Sequence, residues 1–218
     1  MPVERTAVIA DVHANLPAIN AFLSYIDAHA DITQIWNLGD FLQLGPHPKE
    51  VAEIILGDER FVNIAGEAET RLVHRSHSAS RVEQIAHEDW TVSQIGPEII
   101  GKLAAIPPMR EATIGDRSVL LVHSIEDVPE DVATNWIFVG HKHAQVHSYR
   151  GGKAIVNPGS VGCSGVKNTI QFAVVEVRER GLFVSFENQP YDGTTLRADY
   201  LTRRVPDSAW ILANMHKT

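Results

Sequence analysis

The chain has almost no cysteine. Cys163 is the single one in 218 residues, which excludes an intrachain disulfide and any zinc site built on several thiolates. Long hydrophobic runs are missing too, and none approaches the roughly 18 residues needed to cross a bilayer. Positive charge is scarce: 19 Lys and Arg face 27 Asp and Glu, a formal net charge of −8. Binding to a nucleic acid duplex, which needs a basic face, is not expected. No Pro/Gly/Ser linker, low-complexity tract or fixed-period repeat divides the chain. Glu4 and Arg5 lead directly into an apolar run, unlike a signal peptide. These absences predict a single domain over 1–218, cytoplasmic, with no membrane partner. Assembly into a homo-oligomer is left open.

What is present is a packed core: hydrophobic content is 44% and charged content 21%. Thr6–Ala10, Gln34–Leu38 and Phe61–Ala65 read as short buried strands. Between them lie helical patterns, one opening near Pro17 and one at Pro48 and closing at Gly57. A strand-helix-strand-helix-strand order implies a parallel sheet whose ligands lie beyond the carboxyl ends of its strands. Residues 67–105 read as helical, with a second helix starting at Gly96-Pro97 and ending at Pro107-Pro108. After these the period changes to strands: Arg110–Ile114, Arg117–Val122, Trp136–Val139, Gln145–Tyr149, Lys153–Val156, Thr169–Arg178 and Gly181–Glu187. Helical pattern returns on both sides of Pro206. The fold class predicted is α/β, with two sheets face to face and helices outside.

The chemistry collects just past the strands. Asp11 and His13 follow the first, Asp40 the second, Glu67 the third, His123 the strand ending in Val122, and His141 and His143 the run Trp136–Val139. Taken singly, Asp after a strand is more often a turn former or helix cap, and a lone His is more often structural. Those readings do not explain why five strand ends all finish in carboxylate or imidazole. Such donors suit divalent ions such as Mn, Fe, Zn, Co or Ni. Seven are too many for one tetrahedral ion and suit two ions sharing a carboxylate.

At these residues the sequence resembles the calcineurin-like metallophosphoesterases, in the order Asp-x-His, Gly-Asp, Gly-(Asn)-x-(Asp/Glu), His, Gly-His-x-His. Ala10–Ala18, Asn37–Phe41 with Leu44–Pro48, Asn157–Gly162 and Tyr191-Asp192 are similar to its small bacterial and archaeal phosphodiesterase branch. The resemblance implies a four-layer αββα sandwich with two mixed sheets and a small phosphate-ester substrate. It implies one divalent transition-metal ion on Asp11, His13 and His143, a second on Glu67, His123 and His141, and Asp40 bridging them. Asp40, His141 and His143 are the residues it makes catalytic, and a bridging hydroxide would attack phosphorus, most readily of a phosphodiester. Asn15 and Lys142 are expected near the substrate.

The chain departs from the pattern at Gly66-Glu67-Ala68-Glu69, where Asn and His are usual. Glu67 adds a negative charge and is expected to slow turnover and move it to higher pH; otherwise it points away and caps a helix. Ala68 removes a general acid, whose contribution is typically ~10²–10⁴-fold. His47 and His77 are the histidines that could replace it, though both read more readily as solvated loop residues. Cys163, Trp36 and Trp136 read as packing residues, and Gly159 and Ser160 as the turn after Val156. A weak or inactive member acting as a metal-holding scaffold for a protein partner is the alternative.

Overall fold

Each half of the fold is a five-stranded mixed sheet with three parallel strands, joined by antiparallel strands on one side in the first sheet and on both edges in the second. The computed structural model describes residues 5–75, 82–179 and 181–215. In the first sheet β1 (Arg5–Ile9) runs parallel to β2 (Ile32–Asn37), which runs parallel to β3 (Phe61–Asn63). On the other side β1 pairs antiparallel with β9 (Thr169–Arg178), and β9 with β10 (Gly181–Pro190). In the second sheet β5 (Arg117–Val122), β6 (Trp136–Phe138) and β8 (Lys153–Pro158) are parallel, with β4 (Met109–Ile114) and β7 (Gln145–Arg150) antiparallel at the edges.

The alternation of side chains shows why the sheets stack. On β1, Ala7 and Ile9 enter the core beneath the helices, while Val8, followed by Ala10, enters the core between the sheets. Both faces are buried, so the strand reads as a continuous apolar run. The inter-sheet core joins Val8, Trp36, Leu38 and Ile64 to Leu121, Phe138 and Val156. Burying each such large side chain contributes about 1.5–3 kcal/mol. Trp36 is fully buried against Phe138, with ring centroids 5.4 Å apart, but Trp136 is only half-buried at the edge of this core.

Helices α1 (Leu16–Asp27), α2 (Pro48–Gly57) and α4 (Val82–Ala104) cover the outside of the first sheet through Phe22, Val51, Ile55, Ile95 and Ile99. Gly96, at φ +70°, breaks α4, so a second helix begins at Gly96-Pro97 as the sequence predicts. The outer face of the second sheet is covered by Ile125, Val128 and Val132 of its 124–135 connection, which holds a single 3-10 turn, Ile125–Asp127. Helix α3 (Glu67–His74) follows β3 directly, and α5 (Leu196–Thr202) and α6 (Ser208–Asn214) stand on either side of Pro206. The last two pack Leu196, Tyr200 and Ile211 against Leu44 and Trp90. The third strand is shorter than predicted: Ile64 N–H still donates to Asn37 O, but Ala65 N–H turns away and donates to Pro107 O. Among the described residues no helix is long and apolar enough to cross a membrane.

Candidate metal centre

Parallel register brings the loops that carry the candidate ligands to one end. Ile9 faces Asn37 and Leu121 faces Phe138, so the loops that follow leave side by side. Backbone bonds then tie them together: Asp11 N–H to Gly39 O at 3.0 Å, His13 N–H to Asp40 O at 3.1 Å, and Gly140 N–H to His123 O at 2.9 Å. The loops turn so sharply that Asp11, His13, Asp40, His141 and His143 all have φ between 47° and 70°. That left-handed region is costly for residues with a Cβ and is concentrated at sites the surrounding fold over-determines. Glycine serves where the backbones touch. A Cβ on Gly39 would strike the backbone of Gly66, and one on Gly66 would strike Asp40.

One group of donors is Asp11, His13 and His143, with one ligand atom of each within 4.8 Å of the others. His13 Nε2 and His143 Nε2 stand 3.1 Å apart, and His143 Nε2 is 3.4 Å from Asp11 Oδ1. His143 donates from Nδ1–H to Cys163 O at 3.2 Å, which leaves Nε2 to face the site. Asp11 is fully buried; its Oδ2 accepts from His141 N–H, while Oδ1 has no hydrogen-bond partner. Burial pushes Asp11 up, against the opposing pull of His143. For His143 burial acts downward, but Asp11 outweighs it and the net shift is upward.

A second group is Asp11, Asp40 and His123. His123 donates from Nδ1–H to Leu38 O at 2.7 Å, so its Nε2 also faces inward, 3.4 Å from Asp40 Oδ2 and without a hydrogen-bond partner. Burial alone would lower His123; Asp40 and Asp11 outweigh it and push it up to about 10. Burial alone would raise Asp40, yet His123 holds it well below the usual carboxylate range. Two buried acids and three inward-facing imidazoles, with an orphaned carboxylate oxygen and an orphaned imidazole nitrogen, fit divalent cations.

His141 and Glu67 stand at the rim. His141 packs edge-on to His123 with centroids 5.5 Å apart, and its Nδ1 lies 3.8 Å from Glu67 Oε1. Glu67 is half exposed and its Oε2 is 3.4 Å from Arg71. Although Glu67 opens α3, it does not cap it. The capping carboxylate is Glu69, whose Oε2 accepts from Gly66 N–H at 3.0 Å.

Glu69 does more than cap. It is fully buried and also accepts from the backbone N–H groups of Asp40, Phe41 and Leu42, at 2.8–3.0 Å. It thereby clamps the loop that presents Asp40. Burial, reinforced by Asp40, pushes it up to about 7, against four N–H donors that favour the carboxylate. Asn157 donates to Gly140 O at 2.6 Å and holds the His141–His143 loop. Ser160 Oγ donates to Asp11 O at 2.7 Å, so the turn after Val156 supports the loop that presents Asp11. Sequence reasoning assigned neither Glu69 nor Asn157 a role. Their signal was placement beside ligand loops, in Gly66–Glu69 and Asn157–Gly162.

Two expectations need correction. Asn15 does not face substrate. It is fully buried, caps α1 by accepting from Ala18 N–H, and donates to Gly162 O and Tyr191 Oη at 3.1 Å. His47 is not a solvated loop residue: it is buried, with Nε2 3.3 Å from Asp199 on α5. His77 lies outside the described residues. Cys163 is buried packing, and burial raises its thiol well above the ordinary value. Lys142 is exposed and lines a cavity of about 470 Å³ together with His13, Asp40, Glu67, Arg71 and His143.

Residues 5–180 match the calcineurin-like phosphoesterase superfamily domain. An uncharacterized protein of Methanocaldococcus jannaschii, MJ0912, is 30% identical, over 72% of this chain and 75% of that one. The metallophosphoesterase of Sphaerobacter thermophilus superposes with a TM-score of 0.75 at 24% identity, covering 97% of both chains. The protein PH1004 of Pyrococcus horikoshii OT3 gives 0.79 at 20% identity, covering 97% of this chain and 98% of that one.

Proposed function

Because the chain belongs to the calcineurin-like phosphoesterase superfamily, we propose that it hydrolyses phosphate esters, phosphodiesters foremost, at a centre of two divalent ions. The observation that carries this reading is the pair of donor groups that share Asp11, Asp11–His13–His143 and Asp11–Asp40–His123, with His13, His143 and Asp40 lining one cavity. Asp11, His13 and His143 would hold one ion. Asp40 and His123, with His141 and Glu67 drawn in from the rim, would hold the other. When bound, such ions supply an attacking water acidic enough to act near neutral pH and positive charge against the phosphate oxygens. Asp40, His141 and His143 then set the shape of the reacting centre, and Lys142 and Arg71 bring cationic side chains to the same cavity. Among the described residues no imidazole stands where a general acid is usual, since Ala68 is there and His47 is turned to α5. Esters with good leaving groups are therefore favoured.

The test is metal content followed by hydrolysis of an aryl phosphodiester and an aryl phosphomonoester with added manganese. Two ions per chain with diester turnover are expected. Fewer than two ions would sink the two-ion centre. Full metal with no turnover of either ester would leave the scaffold alternative, which Glu67 and Ala68 favour.

Glu67 sets the second measurement. With two divalent ions, Asp11 and Asp40 leave two surplus positive charges, and Glu67 reduces the surplus to one. Arg71, 3.4 Å away, offsets that only in part, because it is also 3.7 Å from the buried Glu88. Glu67→Asn is expected to raise turnover several-fold at neutral pH and to move the pH optimum downward, in the direction electrostatics requires. A pH–rate profile identical to wild type would remove Glu67 from the centre.

A further inference from the structure

Behind the metal cavity lies a second one, of about 310 Å³, and the two share Gln43, Leu44, Gln84 and Met215 as walls. The chambers differ in chemistry. The metal cavity holds the cationic side chains Arg71 and Lys142. The second is walled by Trp210 and Ile211 of α6 and by His87 of α4, and no Lys or Arg lines it among the described residues. His87 brings no charge there. Burial pushes it down to about 4, its Nε2 accepts from Leu44 N–H at 2.7 Å, and its Nδ1–H donates to Pro206 O. The charged group in the wall is Asp207, which disfavours a second phosphate.

Gln43 stands at the junction. It is 7% exposed, its φ is +64°, and its amide Nε2 is buried with no hydrogen-bond partner. A buried amide donor left unmade costs free energy unless a ligand supplies the acceptor. The chamber's size suits one ring system, and an indole in an apolar wall suits a flat partner.

Resting on the phosphoesterase reading, we infer that this second chamber is a subsite for an uncharged aromatic ester group of the substrate. Gln43 is the specificity residue that donates its amide N–H to a substrate oxygen between the chambers. The substrate class is then an aromatic or heteroaromatic phosphate ester rather than an alkyl ester or a polyphosphate.

The experiment compares kcat/KM for bis(4-nitrophenyl) phosphate and methyl 4-nitrophenyl phosphate in manganese-loaded protein. The leaving group is the same, so the change in their ratio between variants reports only the second ester group. Trp210→Ala, at a site 41% exposed, should lower the diaryl-to-methyl ratio about tenfold. Gln43→Leu, of similar size, should lower kcat/KM for the diaryl ester about tenfold, as loss of one hydrogen bond to a reacting oxygen implies. A binding readout accompanies them. In zinc-loaded protein the ring protons of phenylphosphonate should receive saturation transfer in NMR, and lose it in Trp210→Ala. Hydrolysis of both esters with a ratio unmoved by Trp210→Ala would overturn the subsite alone. No hydrolysis of either ester by wild type would overturn the phosphoesterase reading, and the ring-proton transfer then decides the chamber by itself.

Discussion

Asp40→Asn is expected to reduce ester hydrolysis by roughly 10³-fold or more and to strip the protein of part of its metal. The size follows from what the side chain touches. Asp40 Oδ1 accepts from Ala68 N–H at 2.7 Å, and Oδ2 faces His123 Nε2 at 3.4 Å. Asparagine keeps the shape and can still accept from Ala68. It loses the negative charge and turns an N–H₂ toward an imidazole nitrogen that is proposed to hold a cation. Removing one preorganised electrostatic group from a reacting centre typically costs ~10²–10³-fold, and this one is proposed to serve two cations at once. Metal analysis and a manganese-activated rate check it together. A variant with full metal and the wild-type rate would show that Asp40 is only a turn residue. In the metal-free protein the same change removes the partner that keeps His123 at about 10. The histidine should titrate closer to the ordinary imidazole range.

Glu69→Ala should be the most destabilising single change near the site. Four backbone N–H groups, of Asp40, Phe41, Leu42 and Gly66, point at one buried carboxylate. Each buried donor left without an acceptor costs about 1–3 kcal/mol. The expected loss is several kcal/mol, a large part of the ~5–15 kcal/mol that holds a domain together. Glu69→Gln separates charge from shape. It keeps one oxygen acceptor but brings an N–H₂ group against converging N–H donors, so it should lie between Ala and wild type. Urea midpoints of the three proteins measure this. Equal midpoints for wild type and Glu69→Ala would mean that water fills the carboxylate's place without loss.

These two residues also show how far the chain can be read without coordinates. Asp40 was legible because a carboxylate after an apolar strand joins a pattern repeated at five strand ends. Glu69 was not, because its work is to accept from backbone groups that only the fold brings near it. The two-sheet architecture was legible in the change from helical to alternating period after Pro108. Strand order was not, since pairing β1 with β9 joins segments more than 160 positions apart. Asn15 was misplaced for a related reason. Its position beside His13 suggested substrate, but an Asn just before a helix beginning at Leu16 is also a cap, and the structure uses it as one. His47 misled because a Pro-flanked His looks exposed until α5 closes over it.

The donors come from both sheets, and His13 meets His143 across 130 positions of chain. Neither sheet supplies a complete donor group by itself. An ion can therefore gain its full affinity only after the two sheets have docked, late in folding and after the long loop closures have been made. Such an ion would bind the assembled state and not its parts, so its free energy would add to the unfolding barrier of the whole sandwich rather than to the stability of either sheet. Held there, an ion would act as a rivet across the two sheets, and its removal should speed the unfolding of both together.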